Sequence, residues 1–269
     1  MKTRSTYIFL LLFCLLASAC STQKDRFLNR SFHRTTSKYN GYFNAQESLK
    51  QALAKLEKSH QEDYNNLLPT RILGTQKQAQ KIYPALNRTI DKAALVVEFH
   101  SMEIKGEEKN KWIEACYLLM GKALFYKQEY GKAVEMFGFI SREYSGEVSD
   151  LAILWSTWAH VKMDNYTTAN KQLLYLESEA KLKKEDLAIL EEIKANYYIQ
   201  KEDWLLATHQ LKKVIKLSSR KAKKTRLTYI IGQIHQELGE YEAAYKQFDK
   251  VVRMNPDYEL LFNALLSRA

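Results

Sequence analysis

Four alanines, Ala133, Ala169, Ala207 and Ala244, recur through the second half of the chain at intervals of 36, 38 and 37 residues. A period of that length is one helix–turn–helix unit, too small to bury its own apolar stripe. Each unit must stack on its neighbours, and this requirement fixes an all-α architecture. In the first unit Tyr117, Met120, Gly121 and Leu124 precede Tyr130, Ala133, Phe137 and Ile140. In the last, Thr228, Ile231, Gly232 and His235 precede Tyr241, Ala244, Phe248 and Val251, with Pro256 closing the unit. Two looser copies centre on Tyr166, Ala169 and Leu173, and on Ala195, Tyr198, Ala207 and Leu211. Gly121, Ala133, Gly232 and Ala244 are small enough to let paired helices approach, while Phe137 and Phe248 are expected to fill the gap between one hairpin and the next. Composition agrees. Nine Gly and three Pro leave few tight turns for a many-stranded β fold, and little material for a glycine-rich phosphate cradle.

The spacing resembles the tetratricopeptide pattern, in which W-x2-L-G-x2-Y is followed by A-x3-F and a closing Pro. The resemblance implies an all-α, tetratricopeptide-repeat α-solenoid of antiparallel helical hairpins. Four such repeats are expected over residues 112–258, preceded by irregular helical hairpins over 31–104. In that earlier part Pro84 marks a kink or break, 59–75 reads as a connection with part of it extended, and 104–111 is a charged link. Asn255-Pro256-Asp257 reads as a helix start with Asn as its cap. In the helix after it Leu261, Phe262 and Leu265 are expected to pack inward, leaving Leu260 and part of Leu266 uncovered. The stretch 259–269 is therefore either the first helix of a further repeat, completed by more chain or by a partner, or a tilted capping helix.

The chain opens with Lys2 and Arg4, then an uncharged run from Tyr7 to Ala17. That run is well short of the roughly 20 residues a spanning helix needs, and it fits the apolar part of a secretory signal. It ends Leu15-Leu16-Ala17-Ser18-Ala19-Cys20, which resembles a bacterial lipobox. The resemblance implies a signal peptide over 1–19, cleavage before Cys20, and lipid on its thiol. A tether to the membrane would follow over 20–30. No acidic residue appears before Asp25, so the periplasmic leaflet of the outer membrane is the expected address. Removal of Lys2 and Arg4 lowers the formal charge from +10 to +8. Cys14 leaves with the signal, and Cys116 remains as a lone thiol on a helix face, read as packing.

Two strings follow: Asn29-Arg30-Ser31-Phe32-His33 and Tyr39-Asn40-Gly41-Tyr42-Phe43-Asn44. With the Cys20-Ser-Thr opening and Phe99-His100-Ser101-Met102, they resemble the PorW/SprE lipoproteins. That resemblance covers about the first 105 residues. It implies a periplasmic, outer-membrane-anchored scaffold of the type IX secretion system, linked in some members to gliding motility. Its partners would be protein subunits of the secretion complex, with the membrane held through the N-terminal lipid. A lipoprotein of the β-barrel assembly machine, of the BamD kind, shares the anchor, repeats and length but matches residues 20–44 less well.

Chemistry-bearing motifs are few. The six histidines show no H-x3-H or H-E-x2-H spacing, and there is no G-x-S-x-G or C-x2-C. No enzyme, metal, cofactor or small-molecule substrate is expected. The repeat register places Leu118, Lys122, Trp158, Asn196, Tyr229 and Gln233 on the concave face, the usual ligand surface of a solenoid. Trp158 and Tyr229 either anchor an interface there or pack between helices. Eight cations with no acid lie within 212–226: Lys212, Lys213, Lys216, Arg220, Lys221, Lys223, Lys224 and Arg226. Export disfavours nucleic acid as their partner. They are either a solvated connection between hairpins or a docking patch for an acidic protein or anionic lipid.

Overall fold

A computed structural model of the protein describes residues 21–268. The proposed signal, Cys20 and Ala269 lie outside these residues. Helices dominate, and none of those described is long and apolar enough to cross a membrane.

Four antiparallel hairpins carry the repeat: α5 (Trp112–Tyr126) with α6 (Tyr130–Glu143), α7 (Glu147–Lys162) with α8 (Tyr166–Ser178), α9 (Lys184–Gln200) with α10 (Trp204–Leu217), and α11 (Lys221–Glu237) with α12 (Tyr241–Arg253). All four turn in the same way. Gln128, Asp164, Glu202 and Gly239 have φ of 61°, 56°, 56° and 72°, so each turn holds one left-handed residue. The next N–H then donates five residues back, from Glu129 to Leu124 O, Asn165 to His160 O, Asp203 to Tyr198 O and Glu240 to His235 O, at 2.9–3.1 Å. Asn165 and Asp203 also cap the second helices through Thr168 N and Leu206 N. One turn geometry used four times keeps the alanines in phase.

The ring positions refine the packing. A Cβ on Gly121 would lie 2.4 Å from Phe137, and one on Gly232 would lie 2.6 Å from Phe248. Each ring thus fills the space between the two helices of its own hairpin, and the glycine is what admits it.

The described chain forms two compact units. The first comprises residues up to 55 and 79–144, so the α5–α6 hairpin belongs with the N-terminal segment. Here α1 (Phe27–Thr36) runs through one π turn (Ser37–Tyr42) into α2 (Phe43–Ser59). The short α3 (Gln76–Gln80) and then α4 (Tyr83–His100) follow, with Pro84 in the first turn of α4, where its missing N–H costs nothing. Helix α1 begins inside the stretch expected to be a tether. The charged link is likewise structured, as a two-stranded hairpin of β1 (Glu103–Ile104) and β2 (Glu107–Glu108). Lys105 and Gly106, at φ 56° and 77°, supply the left-handed pair that a tight hairpin turn needs.

The second unit comprises residues 56–78 and 145 onward, including α13 (Tyr258–Arg268). Asn255 does not open α13. Its φ of 46° closes α12, while Asp257 caps α13 by accepting from Leu260 N at 3.0 Å. The packing face also differs from expectation: Leu260 and Ala264 are buried, and Phe262, Leu265 and Leu266 are exposed. Leu260 and Ala264, four residues apart, form the inward face of α13.

Candidate protein-binding groove

In the second unit the first helix of each hairpin contributes to one face. Trp158 comes from α7, Glu192 and Asn196 from α9 at i and i+4, and Lys223, Arg226, Tyr229 and Gln233 from α11. The connection after α2 crosses this face as open, irregular chain. It is held largely by its backbone. Gln233 accepts from Leu68 N–H at 3.0 Å through Oε1 and donates to Asn66 O at 2.8 Å through Nε2. Arg226 Nε donates to Pro69 O at 2.9 Å, and Asn196 Nδ2 donates to the Thr70 hydroxyl at 2.7 Å. Leu68 is buried in the apolar cluster with Ala195, Leu227, Tyr229 and Ile230, and the Tyr64 ring meets Tyr229 edge-on at 5.6 Å.

Charge pairs fix both ends. Glu62 takes both arms of the Arg226 guanidinium and lies 3.0 Å from His60 Nε2. Nine residues on, Arg71 Nη2 lies 2.6 Å from Glu192 Oε2, with its guanidinium 4.4 Å above the Trp158 ring. Lys223 Nζ reaches the same carboxylate at 2.7 Å. Burial alone would raise the Glu192 carboxyl, but Arg71 and Lys223 outweigh it and hold it below the ordinary carboxylate range. Glu62 is similar: burial pushes it up, and hydrogen bonding and charge from Arg226, with His60 adding, bring it below its usual value.

Of the residues read as a concave face, Trp158, Asn196, Tyr229 and Gln233 come together here, engaged by residues 64–71 of the same chain. Leu118, buried, and Lys122, half-buried, sit on α5 in the first unit. Sequence reasoning missed Glu192 and the segment that meets it. A carboxylate one turn before Asn196, on a face otherwise made of Trp, Asn, Tyr and Gln, was the available signal. The basic stretch also divides. From Lys221 onward it is α11 and not a connection between hairpins. Lys213, Lys223 and Arg226 pair with Glu191, Glu192 and Glu62, acids remote in sequence. Lys212, Lys216, Arg220 and Lys221 are exposed, and Lys224 is half-buried.

The first unit gathers the N-terminal strings into one cluster. His33 Nδ1 and His100 Nδ1 lie 2.9 Å apart, so one donates and the other accepts. Asn110 Nδ2 donates to Ser37 Oγ at 2.8 Å and to His100 O at 3.0 Å. Glu108 accepts from Ser101 Oγ, Met102 N and Asn110 N at 2.5–2.9 Å. A Cβ on Gly41 would fall 1.9 Å from Val96, so only glycine lets the π turn lie against α4. Burial, then the neighbouring His33, keeps His100 below the usual histidine value. The lone described thiol, Cys116, is buried and its pKa is pushed up to about 12, which makes it packing and not a nucleophile. Among the described residues, no group of three or more His, Cys, Asp or Glu is placed to hold a metal ion.

Comparison with known proteins bears on the fold. A tetratricopeptide repeat family pattern matches residues 225–258. No curated protein is significantly similar to the chain. Among solved structures it is similar to the APC/C hetero-tetramer Cut9-Hcn1, with a TM-score of 0.51 and 14% identity over 89% of this chain and 42% of that one. The chain thus spans less than half the length of that relative. A tetratricopeptide repeat protein from Parabacteroides merdae aligns over 98% of this chain and 96% of its own, with 18% identity and a TM-score of 0.47. The matched repeat and the four alike hairpin turns give the chain the fold of a tetratricopeptide-repeat solenoid, all-α and built of antiparallel hairpins.

Proposed function

We propose that this protein is a non-enzymatic scaffold lipoprotein, held by lipid on Cys20 at the periplasmic face of the outer membrane. It binds other subunits of the type IX secretion, or gliding-motility, machinery through its helical-repeat surfaces. The observation that carries the scaffold reading is the grip of Gln233, Arg226 and Asn196 on residues 66–70. These hairpins already hold open polypeptide, mostly through groups that every residue possesses. The lipobox and the strings at 29–33, 39–44 and 99–102 support the address and the machine. Because the groove is filled by the chain itself, partners meet the outer surfaces first. The exposed cations Lys212, Lys216, Arg220 and Lys221 suit an acidic one.

Affinity purification of the full chain from native membranes tests this. Type IX translocon or ring subunits should co-purify, while recovery of a β-barrel assembly pore instead would contradict the assignment. The anchor is tested separately. Cys20→Ala should leave the outer-membrane fraction, and retention through salt and carbonate washes would contradict lipidation.

A further inference from the structure

Helix α1 is amphipathic with its sides reversed. Its buried side chains are polar, Asn29 and His33, whereas Phe27, Leu28 and Phe32 are 75%, 71% and 45% exposed. A helix resting on a folded unit ordinarily turns its apolar stripe inward. Here the inward side is polar instead. His33 meets His100 of α4, and Asn29 Nδ2 donates to the chain just before the helix, at Ser21 O (2.8 Å) and Lys24 O (3.1 Å). On α4, Leu95 and Phe99, one turn apart, are exposed as well, and the Phe32 ring lies 6.3 Å from that of His100.

Charge surrounds this apolar arc. Between residues 21 and 46 of the sequence, Lys24, Arg26, Arg30, Arg34 and Lys38 stand against the single acid Asp25, which pairs with Arg30 at 3.1 Å. Arg34 donates to the Lys109 carbonyl, which leaves its positive charge intact. At 100° per residue, Phe27, Ser31, Thr35, Leu28 and Phe32 share one exposed arc, and Arg26, Arg30 and Arg34 line its edge. Large apolar residues spaced by small polar ones and edged by arginines are the pattern of a helix lying in a bilayer interface. The excess of cations complements anionic headgroups and not an acid-free apolar groove.

We propose that α1 docks on an anionic lipid surface, with Phe27, Leu28 and Phe32 sunk among the headgroups and Lys24, Arg26 and Arg34 against lipid phosphates. This does not rest on acylation of Cys20. A single short helix gives reversible attachment, and would orient a chain that something else retains.

The test places the full chain on phosphatidylglycerol vesicles with brominated acyl chains. Leu28→Trp is the reporter, and Leu266→Trp, similarly exposed on α13, is the control. Tryptophan at 28 should be quenched beyond the level set by the four native tryptophans, and tryptophan at 266 should not. Lys24→Glu with Arg26→Glu, in the reporter background, should weaken that quenching at least ~10-fold in lipid concentration, as should phosphatidylcholine in place of phosphatidylglycerol. Phe27→Ser with Phe32→Ser should abolish it while helicity is kept. No quenching at 28, equal quenching at 28 and 266, or indifference to headgroup charge would overturn the proposal, because the reporter reads burial in lipid and not mere attachment.

Discussion

Arg71 and Glu192, 121 residues apart, meet with Nη2 2.6 Å from Oε2, and the glutamate side chain has no exposed surface. The pair ties an irregular segment to the middle of a helical hairpin. A buried carboxylate is tolerable only while its partners are in place. Arg71→Ala leaves Glu192 with Lys223 alone and should cost about 3–5 kcal/mol. Urea denaturation measures it. Arg71→Met, Glu192→Met and Lys223→Met combined should cost clearly less than the sum of the three single changes, because no unpaired buried charge is then left. Strict additivity would mean that the three do not act as one charge cluster.

The repeat was legible because its markers are local. Ala133, Ala169, Ala207 and Ala244 report one turn geometry, and Gly121 and Gly232 report rings that need their missing Cβ. The groove was half legible. Trp158, Asn196, Tyr229 and Gln233 lie on one helical face by register, but what covers them comes from residues 62–71, and no periodicity encodes a non-local loop. The basic stretch misled for the same reason, since Glu62 and Glu192 are far from Lys223 and Arg226 in sequence. At α13 both the cap and the face differ: Asp257 caps the helix, and Leu260 with Ala264 packs inward, because apolar residues on more than one side leave the buried face undetermined by sequence.

Acid should loosen the groove segment in a definite window. Glu62 and Glu192 both titrate below their ordinary value of 4.5 in the fold. A depressed carboxylate adds stability above its unfolded pKa, and that contribution is lost as pH falls through the folded pKa. The contribution of this pair should therefore be fully present at neutral pH and fade below about pH 4. Glu62→Gln should flatten the stability–pH curve there. An equal slope below pH 4 in the variant would contradict the pairing with Arg226.

Left-handed backbone at Glu202, φ 56°, strains a residue with a Cβ, whereas Gly239 fills the equivalent turn without strain. Glu202→Gly should raise stability by about 0.5–1 kcal/mol, after the larger unfolded-state entropy of glycine is offset. Thermal melting of the two proteins measures the difference. A destabilised variant would mean that the Glu202 side chain has a role its turn geometry does not show.

Backbone recognition of residues 66–70 by side chains of α9 and α11 is the central claim, and amide hydrogen exchange at Leu68 reads it directly. That N–H has Gln233 Oε1 as its acceptor, 3.0 Å away in a buried setting. It should exchange slowly in the full chain. In Gln233→Ala it should exchange up to ~10-fold faster, the equivalent of one hydrogen bond, while amides within α7 and α8 keep their protection. Exchange at the rate of an open loop in the unmodified protein, or no change at Leu68 on removing the glutamine, would contradict the account.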